Sequence, residues 1–208
     1  MDVNGVIEVV RAMCRRMEQE KDFLTELDNA IADGDHGINM ARGFAVVEKK
    51  LPELADKDVG TILKTVGMTL VSAVGGSAGP LYGTAFLKSG ILMSGKAEIS
   101  LEDFLACMEA SIAGVQQRGR AVRGEKTMLD AMIPALEAMT GVRTSGGDAK
   151  AVLAAGIAAA REGVEYTKTI IATKGRASYI GERSRGHQDP GATSFTFLLE
   201  EMGERVKG

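Results

Sequence analysis

Apolar side chains recur every third or fourth position along almost the whole chain, and this spacing constrains the fold more than any other feature of the sequence. The first such stripe runs from Val3 through Val10 to Met17 on one helix face. No segment alternates apolar and polar residues for long, and the β-branched and aromatic clusters typical of strands are scarce. The sequence therefore predicts an all-α fold of eight or nine helices joined by short turns, forming a single domain over residues 1–208.

The predicted helices have recognisable start signals. Asp58 is suited to cap the fourth helix, and Pro80 to open the fifth, which extends to about Ser94, because proline is tolerated in the first turn. Ser100 and Asp103 form a capping-box pattern for the sixth. The other predicted helices are Phe23–Ile31, Met40–Leu51 ending at Pro52, Thr127–Met139, Asp148 to about Thr173, and Thr193–Val206.

Several classes of protein are excluded by what the sequence lacks. No run approaches the roughly 18 uninterrupted apolar residues of a membrane span, and the segment Met1–Glu8 lacks the pattern of a secretory signal. We therefore expect a cytoplasmic protein with no membrane contact. Cys14 and Cys107 lie on apolar helical stripes, which predicts buried thiols. A net charge of −3 with 4% aromatic residues argues against a nucleic-acid partner.

Glycine is unusually abundant, and much of the excess lies in loops. The chain has 26 glycines among 208 residues. That is about an eighth of the chain, against an average share of about 7%. Glycine-rich turns at helix N-termini expose backbone N–H groups to anions, and phosphate is the obvious candidate. The glycine-rich loops are Asp33–Gly37, Gly75–Gly79, Gly119–Gly124 and Gly175–Gly191.

Three aspartates, Asp28, Asp33 and Asp35, form a D-x4-D-x-D array next to His36. Crowded carboxylates repel one another, and a hard cation relieves that repulsion. Ligands that are all oxygen favour Mg²⁺ or Ca²⁺ over zinc. The alternative is a solvated turn in which Asp33 caps the next helix. For His36, a capping or packing role and a phosphate contact are equally compatible with the sequence.

Two other motifs fit catalytic patterns poorly. Gly75–Gly79 matches the G-x-S-x-G elbow, but a helical pattern precedes it where that motif needs a strand, so an anion-binding turn is the better functional interpretation. Gly119–Thr127 resembles a Walker A loop, yet Glu125 separates the second glycine from Lys126 and no strand precedes it. Met128 is suited either to contact a base or to fill the core. The long Gly175–Gly191 segment has no helical or strand period and is predicted to be a functional loop.

Four motifs, in order along nearly the whole chain, resemble the L subunits of dihydroxyacetone kinases. The matching segments are Leu24–Asp28 with Ala32–Met40, Gly75–Thr84, Lys126–Asp130, and Gly175–Tyr179 with Gly186–Ser194. The resemblance implies an antiparallel barrel of about eight helices with a nucleotide, ADP or ATP, held across one end.

The same resemblance implies a role for individual residues. Asp28, Asp33 and Asp35 would hold two Mg²⁺ ions that bind the phosphates. The residues implied on the phosphate and ribose side are His36, Gly37, Ile38, Asn39, Ser77 and Ala78. Gly119 and Met128 would face the adenine. Arg176, Asp189, Pro190 and Gly191 would close over the nucleotide.

The family has two modes of action. In one, the L domain is fused to a K domain and uses exchangeable ATP. In the other, a free-standing L subunit keeps ADP bound, an M subunit rephosphorylates it through a phosphohistidine supplied from phosphoenolpyruvate, and the K subunit holds dihydroxyacetone. A chain of this length resembles the second kind. The alternatives are a kinase subunit for another small ketose, a carrier phosphorylated on His36, and a regulatory protein that binds a transcription regulator. A homodimer is also compatible with the sequence.

Overall fold

The structure, a computed structural model, describes residues 1–206 and confirms the all-α prediction, since that range contains no strand. It contains nine α-helices and two 3₁₀ segments, Leu51–Leu54 and Arg176–Ser184. The α-helices are α1 Val3–Gln19, α2 Lys21–Ile31, α3 His36–Lys50, α4 Val59–Ala73, α5 Ala78–Leu92, α6 Leu101–Gly119, α7 Leu129–Thr144, α8 Ala149–Thr169 and α9 Pro190–Gly203.

Eight of these helices form a closed ring. Helix α1 packs on α3, each helix from α3 to α8 packs on the next, and α9 returns to α1. The shorter α2 lies against α3 and α9. The ring encloses an apolar cavity of about 820 Å³ and the core side chains around it, which include Phe44, Met132 and Leu199. The predicted barrel of about eight helices is therefore confirmed.

Two antiparallel helix pairs in the ring are packed closely through glycines. A Cβ on Gly67 of α4 would lie 2.8 Å from the carbonyl oxygen of Gly83 on α5. A Cβ on Gly163 of α8 would overlap the carbonyl oxygen of Asp130 on α7. The glycines at these two contacts are thus explained by close approach of neighbouring backbones.

Several predicted helix ends are wrong, and the prolines account for two of them. Helix α5 begins at Ala78 instead of Pro80. Pro80 is its third residue, and proline is tolerated there because the N–H groups of the first turn have no acceptor within the helix. Helix α9 begins at Pro190 instead of Thr193, with proline at its first position. Helix α7 begins at Leu129 instead of Thr127, and α8 ends at Thr169 instead of about Thr173.

The segment Gly175–Gly191 is more ordered than its lack of periodicity predicted. Residues Arg176–Ser184 form the second 3₁₀ segment, which is kinked at Gly181. Ala177 of this segment is buried against Ile31 of α2, so the segment is fixed over that helix. A turn of this kind has no period of 2.0 or 3.6 residues, and sequence patterns therefore miss it.

Both cysteines are buried, as predicted, and burial raises the pKa of the Cys14 thiol to about 12. None of the helices described combines the length and the apolar character that a bilayer crossing requires.

Candidate functional site

A cleft of about 480 Å³ lies at the end of the ring where α3, α5, α7 and α9 begin. It is lined by the first residues of these helices and by the turns that precede them. One wall carries the carboxylates of Asp28, Asp33 and Asp35, and the facing segments carry Arg118 and Lys174. The cleft is therefore charged and has both signs of charge within it.

The helix N-termini at the cleft differ from those at the opposite end of the ring. At the opposite end, the first turns of α1, α4, α6 and α8 are each capped by a side chain, from Asp2, Asp58, Ser100 and Asp148 respectively. At the cleft, the N-cap residues of α3, α5 and α7 make no side-chain capping hydrogen bond. Only α9 is capped there, by Asp189. The first turn of α7 is nevertheless satisfied, because Leu129 donates to Thr127 Oγ1 and the next N–H groups donate to the carbonyl oxygens of Thr127 and Met128. The first turns of α3 and α5 thus leave N–H donors for a ligand, those of Gly37, Ile38, Ala78 and Gly79.

The three carboxylates converge where α2 ends and α3 begins. One oxygen from each of Asp28, Asp33 and Asp35 lies within 4.8 Å of the other two. Oδ2 of Asp28 accepts hydrogen bonds from the N–H groups of Asp35 (2.9 Å) and His36 (3.2 Å). Burial raises the pKa of Asp28, and the negative charges of Asp33 and Asp35 add to the increase. A set of three oxygen donors at this spacing fits a hard divalent cation.

An arginine from the 3₁₀ segment reaches the same carboxylates. Nη1 of Arg176 lies 2.8 Å from Oδ2 of Asp33, and the side chains of the pair are 61% and 35% exposed respectively. This ion pair joins the Arg176–Ser184 segment to the turn before α3. A basic side chain is therefore held at the mouth of the cleft, beside the acidic cluster.

His36 lies at the first position of α3 and is held by a chain of hydroxyl groups. Its Nε2 is 2.9 Å from Oγ of Ser194, which is in turn 2.7 Å from the hydroxyl of Tyr82. Burial lowers the pKa of His36 to about 4 and raises that of Tyr82. The imidazole is therefore neutral near pH 7.

A buried charged cluster supports the opposite wall. Lys126 is buried, with 1% of the residue exposed. Its ammonium group donates hydrogen bonds to the carbonyl oxygens of Thr167 and His187, both at 2.5 Å. Asp130 accepts from the N–H of Thr127 at 2.8 Å. Burial raises the pKa of Asp189 to about 7, and the nearby Asp130 charge acts in the same direction. This cluster ties the turn before α7 to the end of α8 and the start of α9.

Ten of the twelve residues predicted to contact the nucleotide line this cleft. They are His36, Asn39, Ser77, Ala78, Gly119, Met128, Arg176, Asp189, Pro190 and Gly191. Gly37 and Ile38 do not line it: Gly37 is buried against α2, where a Cβ would overlap the carbonyl oxygen of Lys21, and Ile38 is 51% exposed. Their backbone N–H groups have no partner within residues 1–206.

Sequence reasoning assigned no role in the site to Lys126, Asp130, Tyr82 or Ser194, although all four lie inside the segments that carry the family resemblance. Asp130 follows Thr127 at the spacing of a side chain that accepts from a backbone N–H three residues back, and this signal was available in the sequence. Lys126, by contrast, is paired with backbone carbonyls more than 40 residues away, which leave no mark in the local sequence.

Comparison with known proteins agrees with this geometry. The DAK2 domain model matches residues 30–204. The ADP-binding subunit DhaL of a PEP-dependent dihydroxyacetone kinase of Escherichia coli is 44% identical over 188 residues, covering 90% of each chain. The corresponding subunit of a PTS-dependent kinase of Lactococcus lactis is 39% identical over 206 residues, covering 99% of each.

A solved structure has the same fold. The dihydroxyacetone kinase of C. freundii in complex with AMP-PNP and Mg²⁺ superposes with a TM-score of 0.74 at 23% identity, over 97% of this chain and 34% of that one. The family match extends over most of the chain, and the relatives align with it nearly end to end. The chain belongs to the DAK2 domain family.

Proposed function

We propose that this chain is the ADP-binding, phosphoryl-transfer subunit of a phosphoenolpyruvate-dependent dihydroxyacetone kinase. The observation that carries the proposal is that two helix N-termini with free N–H groups, those of α3 and α5, share one cleft with three clustered carboxylates. The first group attracts an anion and the second attracts a cation, so the cleft suits a metal-bound phosphate ester. The names of the relatives from E. coli and L. lactis support ADP as that ester.

Asp28, Asp33 and Asp35 are the residues that would hold Mg²⁺, and we propose two ions. The structure supports the ligand set, because the three oxygens lie within 4.8 Å of one another and none of the three residues is a softer ligand. When bound, Mg²⁺ would neutralise charge on the phosphate oxygens. The C. freundii kinase was solved with Mg²⁺ and AMP-PNP, which supports the choice of metal.

The protein's own groups would orient the nucleotide. His36, Asn39, Ser77 and Ala78 would contact the phosphates and ribose, with the unpaired N–H groups of Gly37 and Ile38 beside them. Gly119 and Met128 would face the adenine, and Met128 is buried at the cleft wall. Arg176, Asp189, Pro190 and Gly191 would close over the bound molecule from the other side.

The proposed reaction is a relay. A phosphohistidine on an M subunit phosphorylates bound ADP, and the terminal phosphoryl group then passes to dihydroxyacetone held on a K subunit. In-line transfer of this kind depends chiefly on positioning and on charge stabilisation. We place this activity in the cytoplasm and assign it to residues 1–208 acting as one nucleotide-binding unit.

Mass spectrometry of small molecules released on denaturing the purified chain tests the proposal. We expect close to one equivalent of ADP, and phosphoenolpyruvate-dependent phosphorylation of dihydroxyacetone only when K and M subunits are both added. A nucleotide-free chain that exchanges freely with added ATP would contradict the bound-coenzyme mode. Acid-labile phosphate on a nucleotide-free chain, absent from the His36→Ala variant, would instead identify His36 as a phosphate carrier.

A further inference from the structure

A chain of three side chains links three of the helices that begin at the cleft. Tyr82 of α5 lies 2.7 Å from Ser194 of α9, and Ser194 lies 2.9 Å from Nε2 of His36 on α3. Tyr82 and Ser194 are buried, at 3% and 0% exposure. The other ring nitrogen of His36, Nδ1, has no hydrogen-bond partner in the described part of the chain, and the residue lines the cleft.

The direction of this hydrogen-bond chain follows from counting protons. Each hydroxyl carries one proton, and burial raises the pKa of Tyr82, so the phenol remains a donor. If Tyr82 donates to Ser194, the Ser194 proton is available for Nε2 of His36, and both short contacts are used. The competing acceptor for either hydroxyl is the carbonyl oxygen of Gly191, at 3.2 Å from each.

The Gly191 carbonyl has less need of these donors. Gly191 is the second residue of α9, and its oxygen receives an N–H donor from the next turn of the same helix. Nε2 of His36, by contrast, has only Ser194 as a partner within residues 1–206. Hydrogen bonds that point the same way also strengthen one another, which favours the order Tyr82 to Ser194 to His36.

We propose that Ser194 and Tyr82 are positioning residues that hold His36 as the Nδ1–H tautomer, so that Nδ1 donates a hydrogen bond to an anionic phosphate oxygen in the cleft. The inference rests on the proposed function, in which His36 contacts phosphate. In the opposite tautomer, a lone pair on Nδ1 would face the negative oxygen and repel it. The two hydroxyls therefore determine that Nδ1 of His36 faces the ligand as a hydrogen-bond donor and not as an acceptor.

Nitrogen NMR of the histidines tests the tautomer directly. The chain has two histidines, His36 and His187, and the variant His187→Gln assigns their signals. The spectra are recorded at pH 8, above the ordinary imidazole pKa of about 6.5. We expect His36 to carry its proton on Nδ1, with and without ADP. Ser194→Ala and Tyr82→Phe are expected to shift the population toward Nε2–H, whereas Tyr179→Phe, at an 86% exposed residue, leaves it unchanged.

Binding measurements distinguish this positioning role from a merely structural one, because only the former changes the affinity for ADP without changing that for adenosine. Ser194→Ala is expected to weaken ADP binding about fivefold, the size expected for one hydrogen bond, and to leave adenosine binding unchanged. In a His36→Ala background the same substitution should have no further effect.

Three results would overturn the inference: an Nε2–H tautomer in the unmodified chain, an unchanged tautomer in both hydroxyl variants, or full additivity in the double mutant. If Ser194→Ala does not fold, Tyr82→Phe supplies the same comparison. A chain that binds no ADP refutes the proposed function, while the tautomer signal still decides this inference.

Discussion

Nη1 of Arg176 lies 2.8 Å from Oδ2 of Asp33, so a residue proposed to cover the nucleotide is paired with a residue proposed to hold the metal. The same carboxylate cannot hold both partners equally well, because a divalent cation competes with the guanidinium for its oxygens. Binding of metal and nucleotide is therefore expected to release Arg176 for the phosphate. Substitutions of Asp33 and of Arg176 test the two partners of this pair separately.

Replacing Asp33 with alanine is expected to abolish Mg²⁺-dependent binding of ADP. Loss of one of the three carboxylates should weaken binding by at least about 100-fold, the upper end of the cost of removing a group that only supports a metal ligand. Isothermal titration with Mg²⁺ and with a chelator measures the effect, and circular dichroism checks that the helices remain. Asp22→Ala, at an exposed position of α2 outside the cleft, is the control. Equal affinity in both variants would contradict the metal assignment.

Replacing Arg176 with glutamine is expected to speed the release of ADP. Arg176 is exposed at the rim, so its loss removes a charge-assisted contact without disturbing the core. The expected change is about tenfold in the dissociation rate, as for one hydrogen bond to a charged group. Stopped-flow displacement of a fluorescent nucleotide measures this rate. Arg183→Gln, an exposed arginine of the same 3₁₀ segment, should have no effect.

Replacing Asp189 with asparagine is expected to change how stability depends on pH. Burial raises the folded-state pKa of Asp189 to about 7, against about 3.9 when unfolded. Between these values the folded chain binds the extra proton, so its stabilisation is complete below about pH 4 and is lost as the pH rises through 7. The unfolding free energy of the unmodified chain, relative to Asp189→Asn, should therefore fall from pH 4 to pH 7.5.

Urea unfolding across this range measures that difference. Asparagine keeps an oxygen that can accept from the N–H of Ala192, so the cap of α9 is retained. Asp148→Asn, at the exposed cap of α8, controls for the capping effect alone. A difference between the Asp189 variant and the unmodified chain that does not vary with pH would be the contrary result.

Replacing Gly163 with alanine is expected to destabilise the fold by roughly 1–3 kcal/mol or more, the usual cost of overpacking. The added Cβ would overlap the carbonyl oxygen of Asp130, and backbone cannot move aside as a flexible side chain can. Gly141→Ala, on an open face of α7, should instead stabilise by up to about 1 kcal/mol through helix propensity. Thermal unfolding compares the two variants. Stabilisation of the fold by both substitutions would show that the close approach of α7 and α8 is relaxed in solution.

Much of this fold was predictable because each ring helix buries one stripe of its surface. The stripe of α1, from Val6 to Met17, is visible in the sequence and buried in the structure. Helix ends were less predictable where a proline was involved. Pro80 and Pro190 both satisfy the rules for a first turn, but they occupy the third and the first position respectively. Local rules allow either position, and the packing of neighbouring helices decides between them.

The acidic part of the site was predictable because Asp28, Asp33 and Asp35 are close in sequence. The hydroxyl chain was not, because Tyr82 and Ser194 are 112 residues apart and meet only when the ring closes. The buried pairing of Lys126 was hidden for a related reason, since its partners are main-chain oxygens that any residue type carries. Site residues that lie within one turn of the chain can therefore be predicted from the sequence, whereas residues that meet only when the ring closes cannot.

The uneven capping of the helices has a consequence for the lifetime of the protein in a cell. The free chain leaves N–H groups unsatisfied at the starts of α3 and α5, and a molecule that binds them stabilises the folded form by mass action. A chain without its ligand opens more often and is cleaved sooner by proteases. The abundance of the protein would then follow the supply of its ligand, and limited proteolysis with and without ADP would reveal that dependence.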